Sequence, residues 1–249
     1  NHFHTLPNAY KYLDIGHHGW LGWPANSTIA FPFFASVAKG TTAGFASVDG
    51  FITNTANYGP TKEPYMVAFT EPPGPTVGTG TLCASPEVCS GTFYQYNPEI
   101  DEEDYAAEFD AGFIAAGFPS SLGMLIDTSR NGWGGPLRPT GPGASSVIDT
   151  FVDETKIDER DDMGQWCNQE NQGVGVPPTV NPGYFNNLQA YVWVKPPGES
   201  DGNYPGSTYG GTVSTKGDPN CDPAHSNQLA NGQLTGAIPN SPPSQPLGV

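Results

Sequence analysis

Four apolar runs of strand length, each bounded by Gly, Asn or Pro, set the strongest limit on how this chain folds. They are AYKYLDIG (9–16), VDGFITNTANYG (48–59), LGMLID (122–127) and AYVWVKP (190–196). Two stretches between them carry apolar residues at helical spacing: STIAFPFFASVAKG (27–40), interrupted by Pro32, and the acidic DEEDYAAEFDAGFIAAG (101–117). Strands alternating with helices predict a parallel sheet with crossover connections, and nearly continuous apolar strands predict cover on both faces. The expected fold class is therefore α/β. A chain of 249 residues fits one large core, so a single domain is expected over 1–249. The segments 71–92, 131–146 and 196–249 are rich in Gly, Pro, Ser and Asn and read as loops, the last stretch from roughly 222 to 249 being an extended tail.

Polar, aromatic and charged residues gather just past the C-terminal end of each run. Asp14, His17 and Trp20 follow the first; Asn54, Asn57 and Tyr58 end the second. Asp127, Arg130, Asn131 and Trp133 follow the third, and Lys195, Glu199 and Asp201 the fourth. In parallel α/β sheets and barrels, ligands bind beyond the carboxyl ends of the strands, so four strands delivering polar groups to one rim describe a site.

Charge narrows what that site takes. Nine Lys and Arg against 25 Asp and Glu give a net charge of −16, which repels phosphate backbones and anionic membrane faces. Neither nucleic acid nor a membrane is an expected partner, and no apolar run approaches the roughly 20 residues that span a bilayer. Nothing at the start reads as an intact signal peptide. Low lysine content, 26 prolines, 32 glycines and four cysteines lean towards an extracellular protein, and the sequon Asn26-Ser27-Thr28 agrees. Cys83 and Cys89 are spaced for a local loop-closing disulfide and Cys167 and Cys221 for a longer staple, with a reduced set of thiols as the alternative. No Cys-x2-Cys or helically spaced histidine pair occurs, so no metal is expected. Gly-x-Ser-x-Gly and Walker loops are likewise missing, which leaves acyl and phosphoryl transfer without a starting point.

Trp20, Trp23, Trp133 and Trp166 flank the polar groups. An indole face is a flat apolar plate with a polar edge, suited to the CH-rich face of a pyranose, although a core or anchoring role is an even alternative for any one of them. In GWLGWPAN, with glycines around two indoles three residues apart, exposure is favoured. Glu199 and Asp201, one residue apart, leave an extended chain from the same face at roughly 6.5 Å. Carboxylates so close raise each other's pKa unless a cation intervenes. Arg130 can clamp one of them bidentately, while Lys195 supplies a point charge or a donor. Asp14 ends its strand beside His17 and His18, for which base, metal and structural roles all remain open.

The stretches YLDIGHHGWLGWPAN, ITNTANY, SSLGMLIDTSRNGWGGPLRPTGP, FVDETKIDERDDMGQWCNQ and AYVWVKPPGESDG closely resemble glycoside hydrolase family 6, over about residues 10–240. The resemblance implies inverting hydrolysis of β-1,4-glucan on a distorted seven-stranded parallel β/α barrel, with cellulose or cello-oligosaccharides as substrate and no cofactor. By motif, His17, Trp20, Trp23, Asn57, Trp166, Lys195 and Glu199 match glucose-subsite residues. Asp201 matches the base, Arg130 its ion-pair partner, and Asp14 a supporting acid. Cys167 and Cys221 match a disulfide bracing the loop over the substrate. That loop, 202–220, is long, as in tunnel-forming cellobiohydrolases, whereas DERDD (158–162) departs from the more basic stretch common in the family. The resemblance also places the proton-donating aspartate on strands upstream of residue 1, so a partial barrel lacking its N-terminal strands is expected. A secreted monomer of cellobiohydrolase type is the resulting expectation, with a non-catalytic glucan binder or an inactive fragment as the alternative.

Overall fold

The computed structural model describes residues 1–66, 86–166 and 171–197, together with the backbone of two short strands at 208–209 and 212–213. Five strands form one sheet: β1 (Tyr12–Asp14), β2 (Gly50–Thr53), β3 (Gly123–Asp127), β4 (Thr179–Val180) and β5 (Leu188–Val192). Their order is β1-β2-β3-β5-β4; the first four are mutually parallel, and β4 runs antiparallel to β5. A separate antiparallel pair joins β6 (Thr208–Tyr209) to β7 (Thr212–Val213). The four apolar runs thus become the four parallel strands, each shorter than its run. Among the described residues the sheet does not close into a barrel. The antiparallel β4, only two residues long, has no matching signal in the sequence.

The helices are α1 (His18–Leu21), α2 (Pro24–Lys39), α3 (Pro86–Cys89), α4 (Glu102–Ala115) and α5 (Ile148–Thr155). The first long helix starts at Pro24, earlier than its apolar pattern, because proline at the first position lacks only an N–H that would be unpaired anyway. Pro32 lies inside it without ending it. The second long helix begins where Asp101 accepts the Asp104 N–H at 3.0 Å, with three further carboxylates in the first turn favoured by the helix dipole. It stops in a Schellman pattern: Gly117 N donates to the Ile114 carbonyl and Phe118 N to that of Phe113.

The main core lies where α2 and α4 pack on the sheet. Phe51 of β2 stacks on Phe113 at 4.0 Å, and Phe31 meets Phe109 and Phe113 edge-on. All four residues of β2 are buried, as expected of a strand covered on both faces. A second cluster joins α5, through Phe151 and Val152, to Val88, Phe93 and Met163. That helix falls outside both predicted helices, although Ile148, Phe151, Val152 and Thr155 show the i, i+3, i+4, i+7 pattern of an amphipathic face.

Candidate carbohydrate site at the strand tips

The first strand tip needs Gly16. Its φ is 73°, and a Cβ there would lie 2.9 Å from Cε3 of Trp20. The chain turns so that Asp14 Oδ1 accepts the Gly16 N–H at 2.7 Å while Oδ2 accepts from the Thr55 hydroxyl, tying the β1 tip to the β2 tip. Trp20 then stands 59% exposed above a groove of about 460 Å³ lined by Asp14, Gly16, Asn26, Ile29 and Phe33. Trp23 is partly buried, its indole N–H donating to the Gln95 carbonyl at 2.9 Å. Asn26 donates from Nδ2 to the Trp20 carbonyl at 2.6 Å, so the sequon's amide is already engaged inside a helix.

Asn54, at the β2 tip, adopts a φ of 64° and bridges three segments: its Nδ2 donates to the carbonyls of Gly59 and Asp127, and its Oδ1 accepts from Gly59 N. Asp127 ends β3 and joins it to the β5 tip. Its Oδ1 accepts from Ser129 N and Oγ at 2.9 and 2.7 Å, and its Oδ2 from Val194 N and Lys195 N at 3.0 and 2.8 Å. The backbone at Lys195 is thereby held by a buried carboxylate. Arg130 is buried, with its guanidinium 4.2 Å from the Tyr58 ring centroid and Nη1 donating to the Tyr58 hydroxyl at 2.9 Å.

The wall beyond α1 is the 157–166 segment. Gly19 packs directly on the Met163 backbone. Arg160, wholly buried, grips Asp158 through Nε and Nη2 and reaches from Nη1 to Asn57 Oδ1 at 2.6 Å and to the Gln165 carbonyl at 2.8 Å. The charges of DERDD are thus partly an internal ion pair. Burial raises the Asp158 pKa, but the guanidinium outweighs it and holds the carboxyl below its usual range. Asn57 is buried with both ends of its amide bound, Nδ2 donating to Gln165 O at 3.3 Å, so it braces the wall that leads to the half-exposed Trp166. Burial, with His18 and Arg160 adding, keeps His17 well below the usual imidazole pKa, so it stays a neutral hydrogen-bonding group at neutral pH.

One expected plate is corrected. Trp133 is fully buried with Tyr58 and Ile157, its Nε1 donating to the Tyr58 carbonyl at 2.8 Å, because the chain turns inward there at a φ of 41°. Glu199, Asp201, Cys83, Cys167 and Cys221 lie outside the described residues. Cys89 is disulfide-bonded. Although no metal is expected from the sequence, His17, His18 and Glu102 each bring one ligand-type atom within 4.8 Å of the others. Sequence reasoning missed Glu102, Arg160 and the bridging role of Asp127. Of these only Asp127, polar at the end of an apolar run, carried a local signal.

An exposed indole, a neutral imidazole and strand-tip donors on one rim suit a ligand with apolar faces and equatorial hydroxyls. The family model for glycosyl hydrolases family 6 matches residues 1–74 and 84–226. The chain is 46% identical over 241 residues to Exoglucanase A of Cellulomonas fimi, covering 96% of this chain and 26% of that protein. It is 32% identical over 198 residues to the 1,4-beta-D-glucan cellobiohydrolase CEL6A of Podospora anserina, covering 80% and 31%. Among solved structures, the catalytic domain of Cellulomonas fimi Cel6B superposes with a TM-score of 0.79 at 44% identity, covering 97% of this chain and 52% of that one. The catalytic core of the cellobiohydrolase Cel6A from Chaetomium thermophilum gives 0.53 at 29%, covering 94% and 50%. The chain therefore spans about half of these solved domains and less than a third of the curated relatives' length.

Proposed function

The chain belongs to glycosyl hydrolases family 6, and from that premise we propose that it carries the glucan-gripping part of an inverting cellulase site of cellobiohydrolase type. The observation that supports this most is the rim: Asp14 at the end of β1 with His17 and Trp20 beyond it, Asn57 beyond β2, Arg130 beyond β3 and Lys195 beyond β5 come from separate strands to one end of one sheet. Trp20, Trp23 and Trp166 serve as plates for glucose rings of cellulose or cello-oligosaccharides. His17, Lys195 and Glu199 bond the hydroxyls, and Asn57 braces their wall. Asp201 acts as base, held ionised by Arg130. It takes a proton from water as the water oxygen bonds the anomeric carbon and the glycosidic C–O bond breaks on the opposite face. A proton donor delivers the proton to the leaving oxygen, and Asp14 supports the charge pattern around the reacting sugar. Two carboxyl groups and water suffice, so no cofactor is called for. Disulfides Cys83–Cys89 and Cys167–Cys221 and an extracellular, monomeric life belong to the same reading.

A second reading, glucan binding without hydrolysis, draws on the exposed indole of Trp20 and the strand-tip groups, which grip a sugar whether or not it is cleaved. One experiment separates the two. The chain is incubated with cellohexaose, alone and with the complementary half of a family 6 catalytic domain. Product anomers are followed by NMR. Binding with little hydrolysis alone, and α-anomer release on complementation, is expected. Asp201→Ala should then cut turnover by about 100-fold or more while leaving binding. Full hydrolysis by 1–249 alone would overturn the placement of the acid, and unchanged turnover in Asp201→Ala would remove that residue from the mechanism.

A further inference from the structure

We propose that Glu102 and His18 form a buried clamp that positions the loop carrying His17, Trp20 and Trp23, a role that rests on the glucan-binding reading above. The loop's only regular structure, α1, is four residues long, too short to hold itself together in water. Its N-cap, His17, makes no side-chain capping bond. That missing cap arrives from 84 residues away: Glu102 Oε1 accepts the His18 backbone N–H at 3.0 Å and is paired with His18 Nδ1 at 2.8 Å. One oxygen thus holds both the backbone and the ring of His18, which fixes the ring orientation. Both side chains are wholly buried.

The clamp is anchored on rigid parts. Glu102 stands in the first turn of α4, where the dipole favours its charge, and its own N–H donates to the Pro60 carbonyl at 3.0 Å. Gly59 makes the approach possible, since a Cβ there would lie 2.6 Å from both Glu102 Oε1 and His18 Nδ1. From the other side Asn97 donates to the His18 carbonyl at 2.8 Å. Farther along, Trp23 is held by Gln95 and the Trp20 carbonyl by Asn26. The Trp20 backbone is thus fixed while its indole stays exposed, which is how a plate binds sugar without first losing conformational freedom. Glu102 is wholly buried, so it acts as a positioning residue.

The test uses cellohexaose, tryptophan fluorescence and amide hydrogen exchange on the whole chain. Glu102→Ala should weaken cellohexaose binding about 10- to 100-fold, open the amides of residues 18–22 to exchange and shift the tryptophan emission. Glu102→Gln keeps an oxygen for both groups and should stay within about threefold of the parent, whereas Glu102→Leu, which fills the space with no acceptor, should weaken binding and open residues 18–22 as the alanine does. Parent-like behaviour of Glu102→Leu would mean that the side chain only fills space and would overturn the clamp. Parent-like binding and parent-like protection at 18–22 in Glu102→Ala would overturn the clamp. So would a Zn²⁺-dependent rise in melting temperature lost in Glu102→Ala, which would make His17, His18 and Glu102 a metal centre instead. If the unsubstituted chain fails to bind cellohexaose, the glucan reading falls, and the exchange data still decide the clamp.

Discussion

Replacing Glu63 by Gln should lessen the chain's loss of stability between about pH 5 and pH 8. Glu63 is buried between two loops: Oε2 accepts from Ile157 N at 2.8 Å and Oε1 from Asp158 N at 3.2 Å. Those bonds and Lys156 favour the anion, but burial is larger, Asp158 adds repulsion, and the carboxyl rises from 4.5 to about 8. In the unfolded chain it titrates near its ordinary value. Its contribution is therefore complete below about pH 4.5 and is lost as pH climbs to about 8, where the folded form ionises too. At roughly 1.4 kcal/mol per pH unit the loss totals about 5 kcal/mol. Asp104, raised to about 6 chiefly by burial, and Asp101 and Glu99, which burial holds well above the usual carboxyl range, have the same sign, so it is the difference between the parent and Glu63→Gln curves that isolates Glu63. Asp158, held low by Arg160, has the opposite sign and acts only in acid. Urea unfolding across this range should show Glu63→Gln about 1 kcal/mol less stable than the parent near pH 5, from one weakened backbone bond, and about 2–3 kcal/mol more stable near pH 8. Parallel stability curves would refute the reasoning, because they would mean that Glu63 folds as the anion its two N–H partners prefer.

Two further substitutions probe the rim. Gly16→Ala places a methyl against Trp20 at a φ of 73° and should cost about 1–2 kcal/mol while shifting tryptophan emission; an unshifted spectrum would show that the indole does not depend on this turn. Asp127→Ala strands the N–H groups of Ser129, Val194 and Lys195 and should cost about 3 kcal/mol, with faster exchange at 194 and 195. Unchanged protection there would deny Asp127 its hold on the β5 tip.

The parallel strands and the two long helices were legible because their signals are local: β-rich apolar runs with turn residues after them, and an aspartate cap before an apolar period. The grouping of Asp14, Asn57, Arg130 and Lys195 at one end followed from the parallel direction alone. What stayed hidden depends on residues far apart in sequence. Nothing near His18 announces Glu102, and nothing near Asn57 announces Arg160, 103 residues on. Trp133 misled for a related reason: its sequence position matches the other plates, but its left-handed φ turns the ring into a pocket formed by Tyr58 and Ile157.

These distant pairs matter most at the β1 side of the site. Among the described residues β1 pairs with β2, three residues to three. Leu13, Ile29, Phe33 and Val37 are exposed beside it. The remaining rim tips are braced from two sides: β3 lies between β2 and β5, and Asp127 ties β3 to Lys195. At β1 the bracing falls instead to the Thr55–Asp14 bond and to the buried Glu102–His18 pair. A polar pair removed from water is weak support for stability when set against an apolar pair of the same volume, yet losing one partner is costly because the other stays buried and unmatched. Such a pair suits direction more than strength, and direction is what an exposed indole on a four-residue helix requires.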